Sequence, residues 1–352
     1  MKTVEEVLSN VFQKCAPTSE LEKVSIKSAS GRVLSGEVLS STDLPRFACS
    51  SVDGFATDGS GSKYHFVHTG SRLPTGTDRV IKAEDTEDEE GMVRPTRAAK
   101  KHENVRLVGT FLRSGSRLFT KNHRLGHVDL GVLGELGYRE IEVFKKPRVS
   151  LVPVGDELVD VEGSEPDSDQ IFETNSIVVS SLLVSWGAEV EKGSIIKDDP
   201  VLIRSALEDA SSCSDLIVLI GGTSFGRRDW TVKVIESMGE VIARGVDLSP
   251  GRPTSIGFLN TVPVVCLSGF PASCLGASLT LVKPVINYLS GSGTETWDRV
   301  FKGVLKETVE TDGRYSSLIS VCLDGTKVIP LLKSRVRLVE ELALSDGYVF
   351  IP

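Results

Sequence analysis

Residues 216–220 read Leu-Ile-Val-Leu-Ile and run directly into the pair Gly221-Gly222. Successive side chains of a strand point to opposite faces, so this segment is apolar on both. A sheet that accepts such a strand is covered on both sides, which is the habit of parallel sheets built from strand–helix–strand units. Two more segments repeat the pattern. "RVSLVP" leads from Arg148 to Gly155-Asp156-Glu157, and "VPVVCLS" leads from Val262 to Gly269-Phe270-Pro271. The stretches between them are helical. "TNSIVVSSLLVSW" is stopped by Gly187 and followed by a strand, "DDPVLIRSALEDA" begins with acids that suit a helix dipole, and "WTVKVIESMGE" follows. This rhythm, which starts at Pro147, predicts a parallel sheet with helices on both faces.

The other segments have different periods. Val4, Val7, Leu8 and Phe12 recur at helical spacing, and acids within that helix exclude a secretory signal. Residues 54–103 are short, glycine-rich and charged, which predicts a small β-rich unit. "HVDLGVLGELGY" predicts a helix closed by Gly137. Residues 291–352 alternate between turns at Asp312-Gly313 and Asp324-Gly325, which predicts a small β domain. A chain of 352 residues with 40% hydrophobic and 25% charged side chains is globular and has room for several domains. Its net charge of −8, with basic residues scattered, argues against a nucleic-acid binder. The six cysteines show no CxxC spacing, so zinc-finger and thioredoxin readings fail and a reduced, cytoplasmic chain is expected. No apolar run has membrane-spanning length.

Open parallel sheets bind ligands outside the carboxyl ends of their strands. Three loops fall there. "VGDEL" carries Asp156 and Glu157. "GGTSFGRRD" carries Gly221, Gly222, Ser224, Gly226, Arg228 and Asp229. "SGFPAS" carries Gly269, Pro271 and Ser273. Any one of them reads as an ordinary strand-to-helix connection. Three on one edge point to a phosphate-containing ligand, because glycine lets backbone amides approach closely and Arg228 can meet a phosphate bidentately. A carboxylate beside a phosphate loop makes Asp229 a candidate Mg²⁺ ligand. "SPGRP" adds a stiff turn, Pro250 and Gly251, with a cation, Arg252. Asp198 and Asp199 in "IIKDDP" fit helix-start charges and site residues equally well. Outside this unit, "CSSVDGFA" places Asp53 before Gly54, which turn chemistry alone explains.

In this order the segments resemble the MoeA family, the molybdopterin molybdenumtransferases, whose eukaryotic relative is the gephyrin E domain. "SASGRVLSGEVLSSTDLPRFACSSVDGFA" resembles the family's N-terminal signature, and "TGSRLPTGTDRVIKAEDTE" resembles its second. "VGDELV", "TNS", "GSIIKDDP", "GGTSFGRRD", "SPGRP" and "SGFPAS" then follow in family order. The resemblance implies four domains in an elongated chain: domain I in two pieces, 1–53 and 104–146; a shortened β-rich lid, domain II, at 54–103; a MogA-like α/β domain III at 147–290; and a β domain IV at 291–352. It implies insertion of molybdate or tungstate into adenylylated molybdopterin, with Mg²⁺ and release of AMP. It implies a homodimer whose cleft joins domain III of one protomer to domain II of its partner, and a MogA-type adenylyltransferase as a possible associate. Asp53, Glu157, Asp198 and Asp199 are the implied catalytic carboxylates. Thr86, Gly221, Gly222, Pro250, Gly251, Gly269, Pro271 and Ser273 are the implied ligand positions.

The chain departs from the family pattern at several points. Thr110-Phe111 stands where the family has Glu-Asp, Phe270 where it has Asn, and Arg252 where it has Lys. "GGTSFGRRDWT" also resembles the adenylyltransferase family to which MogA belongs. Two alternatives follow: adenylyltransferase-like activity, and a non-catalytic molybdopterin-binding or scaffold member.

Overall fold

The computed structural model describes the chain except residues 61–62, 90–91, 223–229, 296–299, 312 and 332–342 and the side chains of Asp88 and Glu89. Its centre is a six-stranded sheet in the order Glu189–Lys192, Arg148–Pro153, Leu216–Ile220, Val262–Leu267, Ser255–Leu259, Glu240–Arg244. The first four strands are mutually parallel. The expectation of an all-parallel sheet needs one correction. Ser255–Leu259 runs antiparallel to both of its neighbours, so the sheet is mixed at that end. The reversal is made by Asn260-Thr261, with Asn260 at φ +55°, a left-handed position that Asn tolerates.

The two apolar faces of the strands explain the sequence. Leu216, Val218 and Ile220 face one core with Val149, Leu151, Val265 and Leu267. Ile217 and Leu219 face the other with Val152, Val154, Val264 and Cys266. The second core is closed by Ile203, Leu207 and Ala210 of helix Pro200–Cys213 and by Val234 and Ile235 of helix Trp230–Met238. The first is closed by helices Asn175–Ser185 and Lys283–Leu289. It is also closed by Val4, Val7, Leu8 and Val11 of the first helix, Val4–Lys14. That helix stands first in the chain, yet it packs with the α/β unit, and Lys2–Thr3 pairs with Val246–Asp247.

The flanking units are built by distant pairings. Leu21–Ser25 pairs with Glu140–Phe144, Val38–Leu39 with Arg117–Phe119, and Cys49–Ser50 with Val105–Arg106. Residues before 54 and after 104 therefore interleave. Between them lies a three-stranded sheet, with Gly54–Thr57 flanked by His65–Val67 and Arg79–Lys82, and the hairpin Thr86–Glu89/Met92–Pro95. The last unit is a four-stranded sheet that contains the hairpin turned by Asp324-Gly325. Asp312 lies outside the described residues. The Gly137 and Gly187 stops both appear, at φ +88° and +92°.

One side chain ties the interleaved unit to the α/β unit. The guanidinium of Arg124 donates to the carbonyls of Gly31 and Trp186, to Oδ1 of Asn287 and to the hydroxyls of Ser290 and Ser292. Gly187 permits this, since a Cβ there would lie 2.8 Å from the Arg124 nitrogen. Arg124→Ala strips a charged donor from five acceptors and is expected to cost about 2–3 kcal/mol, read as a lower denaturation midpoint.

Candidate functional site

The three strand-end loops meet as the parallel-sheet rule requires. Val154 continues its strand, donating to the Ile220 carbonyl at 2.8 Å and bridging to Ile196. Gly221 donates to Leu267 at 2.9 Å, which links the ends of the second and third loop-bearing strands. It sits at φ +92°, and a Cβ there would lie 2.1 Å from the Val154 carbonyl oxygen. Gly222, at φ +63°, has Thr231 Oγ1, Val154 and Asp198 Oδ1 where a Cβ would go, at 2.4, 3.2 and 3.3 Å. The two glycines thus let backbone pass where no other residue fits. A Cβ on Gly269 would meet the Gly221 Cα at 3.8 Å, so the two loops lie side by side, and the Gly269 carbonyl accepts from Asn175 Nδ2 at 2.7 Å.

Carboxylates gather around this edge. Asp156 and Glu157 are exposed and line an open cleft of about 660 Å³ with Asp167, Ser168, Asp169 and Gln170. Asp156 Oδ1 accepts from the Asp198 amide at 3.4 Å, and Asp198 Oδ1 is buried beside Gly222. Asp199 is the N-cap of helix Pro200–Cys213, accepting from Val201 at 2.7 Å and Leu202 at 3.3 Å. The Asp-Asp pair therefore splits: Asp199 starts a helix and Asp198 faces the glycines. Glu173, buried, accepts from the amide and hydroxyl of Ser176 and so fixes the Thr174-Asn175-Ser176 turn. Burial, with the Glu173 charge added, pushes the Cys274 thiol up to about 12, so it stays protonated. Among the described residues no three His, Cys, Asp or Glu side chains group as metal ligands.

Asp53 belongs to a second cluster, in the three-stranded unit. Its Oδ1 accepts from the Thr69 amide at 2.6 Å and hydroxyl at 3.2 Å, and His68 stands 3.7 Å away. These hydrogen bonds, then the His68 charge, hold its carboxyl below the ordinary aspartate value. The side chain is 60% exposed. Gly54 is required by close approach, since a Cβ would lie 2.0 Å from the Ile81 carbonyl oxygen. The Asp53 carbonyl accepts from Ala83, and the Thr86 hydroxyl donates to the Ala83 carbonyl at 2.7 Å. Asp53 and Thr86 therefore flank one turn, with the Thr86 hydroxyl committed to holding it.

The "SPGRP" turn packs on the helix Pro271–Ala277 that follows the third loop. Gly251 is at φ +135° against Leu248, and Pro250 abuts Gly276. Arg252 stacks on Tyr315 with 4.3 Å from guanidinium to ring centroid, tying the turn to the C-terminal unit. Pro271 opens the helix after Phe270, and Ser273 is buried within it. Ser224, Gly226, Arg228 and Asp229 lie outside the described residues. Thr69, Glu173 and Asn175 are not evident from the sequence as individual side chains. Their only local signal was membership of "TG" and "ETNS", because each acts through a partner in another segment or the next turn.

A family described as MoeA N-terminal region (domain I and II) matches residues 2–137, and one described as probable molybdopterin binding domain matches residues 150–288. A molybdopterin molybdenumtransferase of Haemophilus influenzae is 28% identical over 317 residues, covering 83% of this chain and 78% of its own. One of Nostoc sp. is 27% identical over 354 residues, covering 89% and 79%. A crystal structure of the molybdopterin biosynthesis MoeA protein of Pyrococcus horikoshii superposes with a TM-score of 0.77 at 27% identity, over 99% of this chain and 94% of that one. A second, at 22% identity and a TM-score of 0.83, shares the fold over 100% and 95%. Matched in both its interleaved N-terminal part and its α/β part, and superposed along nearly its whole length, the chain belongs to the MoeA family.

Proposed function

We propose that the chain is a molybdopterin molybdenumtransferase, joining molybdate or tungstate to adenylylated molybdopterin with Mg²⁺ and release of AMP. The observation that carries this reading is the meeting of three glycine-bearing loops at one sheet edge, within the segment matched to a molybdopterin-binding domain. The chemistry follows from the side chains. Gly221 and Gly222 admit the pyrophosphate to the backbone, and Asn175 holds the third loop in register with them. Thiol protons must leave with an oxo oxygen as water when molybdate takes up the dithiolene sulfurs. Glu157, exposed at the cleft, is the carrier of those protons. Asp53 is held ionised by Thr69 and supplies fixed negative charge and an acceptor. Asp198, whose Oδ1 is buried beside Gly222, would hold Mg²⁺ as a hard oxygen donor, and Asp229, outside the described residues, would be a second carboxylate for it. One water is consumed when the phosphoanhydride breaks into AMP and the molybdopterin phosphate, and bound Mg²⁺ would supply charge neutralisation there.

The same reading makes the enzyme a cytoplasmic homodimer, with the Asp53 cluster of one protomer facing the loops of its partner and a MogA-type adenylyltransferase upstream. The contacts of Asp53 support it, because they come only from its own unit among the described residues. Among the described residues no helix is long and apolar enough to cross a membrane. The substitutions Thr110-Phe111 and Phe270 favour a second reading, a binding member without turnover. Purified protein incubated with adenylylated molybdopterin, Mg²⁺ and either oxyanion separates them. Oxyanion-dependent AMP release with metal retained is expected. Folded, dimeric protein that binds the substrate without releasing AMP supports the second reading and removes the first.

A further inference from the structure

We infer that Phe270 is a stacking platform for a planar fused heteroaromatic ring, the purine or the pterin end of the ligand. The inference rests on the ligand reading above and adds which chemical feature this chain selects. Phe270 is 55% exposed, in the same range as Phe66, Phe111 and Phe301. Single exposed aromatics are common, but this one is anchored. Its amide donates to Ser268 Oγ at 3.2 Å, and its carbonyl accepts from Cys274 at 2.9 Å. The carbonyl before it is held by Asn175, and Pro271 fixes the backbone after it. The exposed ring thus stands on a loop tied on both sides, one residue after Gly269, which lies beside Gly221.

The surroundings restrict what such a ring can do. The described parts of the three loops offer Asp156, Glu157, Gly221, Gly222, Ser268 and Gly269, which are carboxylates, a hydroxyl and bare backbone. Phe270 is the one aromatic among them. It has no polar atom with which to read a ribose or a pyrophosphate. An aromatic ring on a tied backbone has only two side-chain torsions to fix and offers a large contact area, and its natural complement is another flat π-face. The site therefore discriminates between phosphates that carry a ring and those that do not.

The test uses the full chain with adenosine monophosphate, a soluble pterin, and ribose phosphate as the ringless control. Calorimetry gives the affinities, and NMR gives the ligand C–H shifts. With wild-type protein, ring protons of the preferred ligand move upfield as they enter the shielding cone of Phe270. Phe270→Ala is expected to weaken that ligand on the order of tenfold to a hundredfold and abolish the shift, with ribose phosphate unchanged. Phe270→Trp restores both, and a thermal melt confirms that each variant is folded. Which ring responds identifies the end of the ligand that stacks. Ringed ligands binding wild type and Phe270→Ala equally, without upfield shifts, overturn the inference and leave the site reading intact. Failure of all three probes to bind wild type removes the site reading and the inference with it.

Discussion

Asp53→Asn is expected to lower oxyanion-dependent turnover by about a hundredfold or more, with only a small fall in unfolding temperature at neutral pH. The substitution keeps the shape and an acceptor oxygen for the Thr69 amide, and the side chain is 60% exposed, so little packing is disturbed. What it removes is charge. The Thr69 amide, then its hydroxyl, then His68 lower the Asp53 pKa from its ordinary 3.8. A carboxyl lowered in the folded state contributes stability above its unfolded value and loses it as pH falls through the folded value. Across about pH 5–8 the group is therefore constantly ionised and is poorly matched to proton transfer. The asparagine variant should show a pH–rate profile of the same shape at a lower height. A limb that shifts inside that window would make Asp53 a proton carrier and defeat the fixed-charge assignment.

Mixing subunits extends the same result. Asp53→Asn and Glu157→Gln protomers, each inactive alone, should recover part of the lost turnover when exchanged into one dimer. In the proposed homodimer, a mixed pair would have one cleft that carries both native groups. No recovery from verified mixed dimers would place both carboxylates in the same protomer's site.

The legible parts of this fold are those dictated locally. Leu216–Ile220 announces its buried position because each face needs apolar cover, and both faces find it. Gly137 and Gly187 announce helix ends because left-handed backbone favours glycine. The illegible parts depend on distant partners. Nothing around Val4–Lys14 says that its apolar stripe meets a sheet beginning at Arg148, since any apolar groove would satisfy it. The antiparallel strand Ser255–Leu259 was hidden because an apolar run does not encode its direction. Arg124 resembles any surface arginine until Trp186 and Ser292 are brought to it.

The site divides the same way. Glycines next to apolar strands were readable as loops, and the structure gives the physical requirement at Gly54, Gly221 and Gly222 as missing space for a Cβ. The roles of neighbouring acids were not readable from spacing. Asp198 and Asp199 are adjacent and chemically alike, yet one caps a helix and the other faces Gly222. Thr69 tunes Asp53 across sixteen residues of chain, a link that only the pairing of Gly54–Thr57 with His65–Val67 creates.

Gly221→Ala is expected to cost about 3–5 kcal/mol and to abolish ligand binding, because two penalties coincide. The backbone at φ +92° is strained for any residue with a Cβ. The new Cβ would also lie 2.1 Å from the Val154 carbonyl oxygen, backbone that no rotamer change can move aside. Relief requires the Arg148–Pro153 and Leu216–Ile220 strand ends to part, which breaks the Val154–Ile220 and Gly221–Leu267 hydrogen bonds. Val154 bridges to Ile196, two residues before Asp198, so the displacement reaches the carboxylate beside Gly222. Gly269→Ala is the control on the facing loop. Its Cβ would meet Gly221 at 3.8 Å, an ordinary contact, and its stability should change by less than about 1 kcal/mol. Denaturant midpoints for the pair separate strain from mere loss of a glycine. Equal midpoints would mean that the Val154–Gly221 approach is not what holds the loop, and the account of the site as a backbone cradle would fail with it.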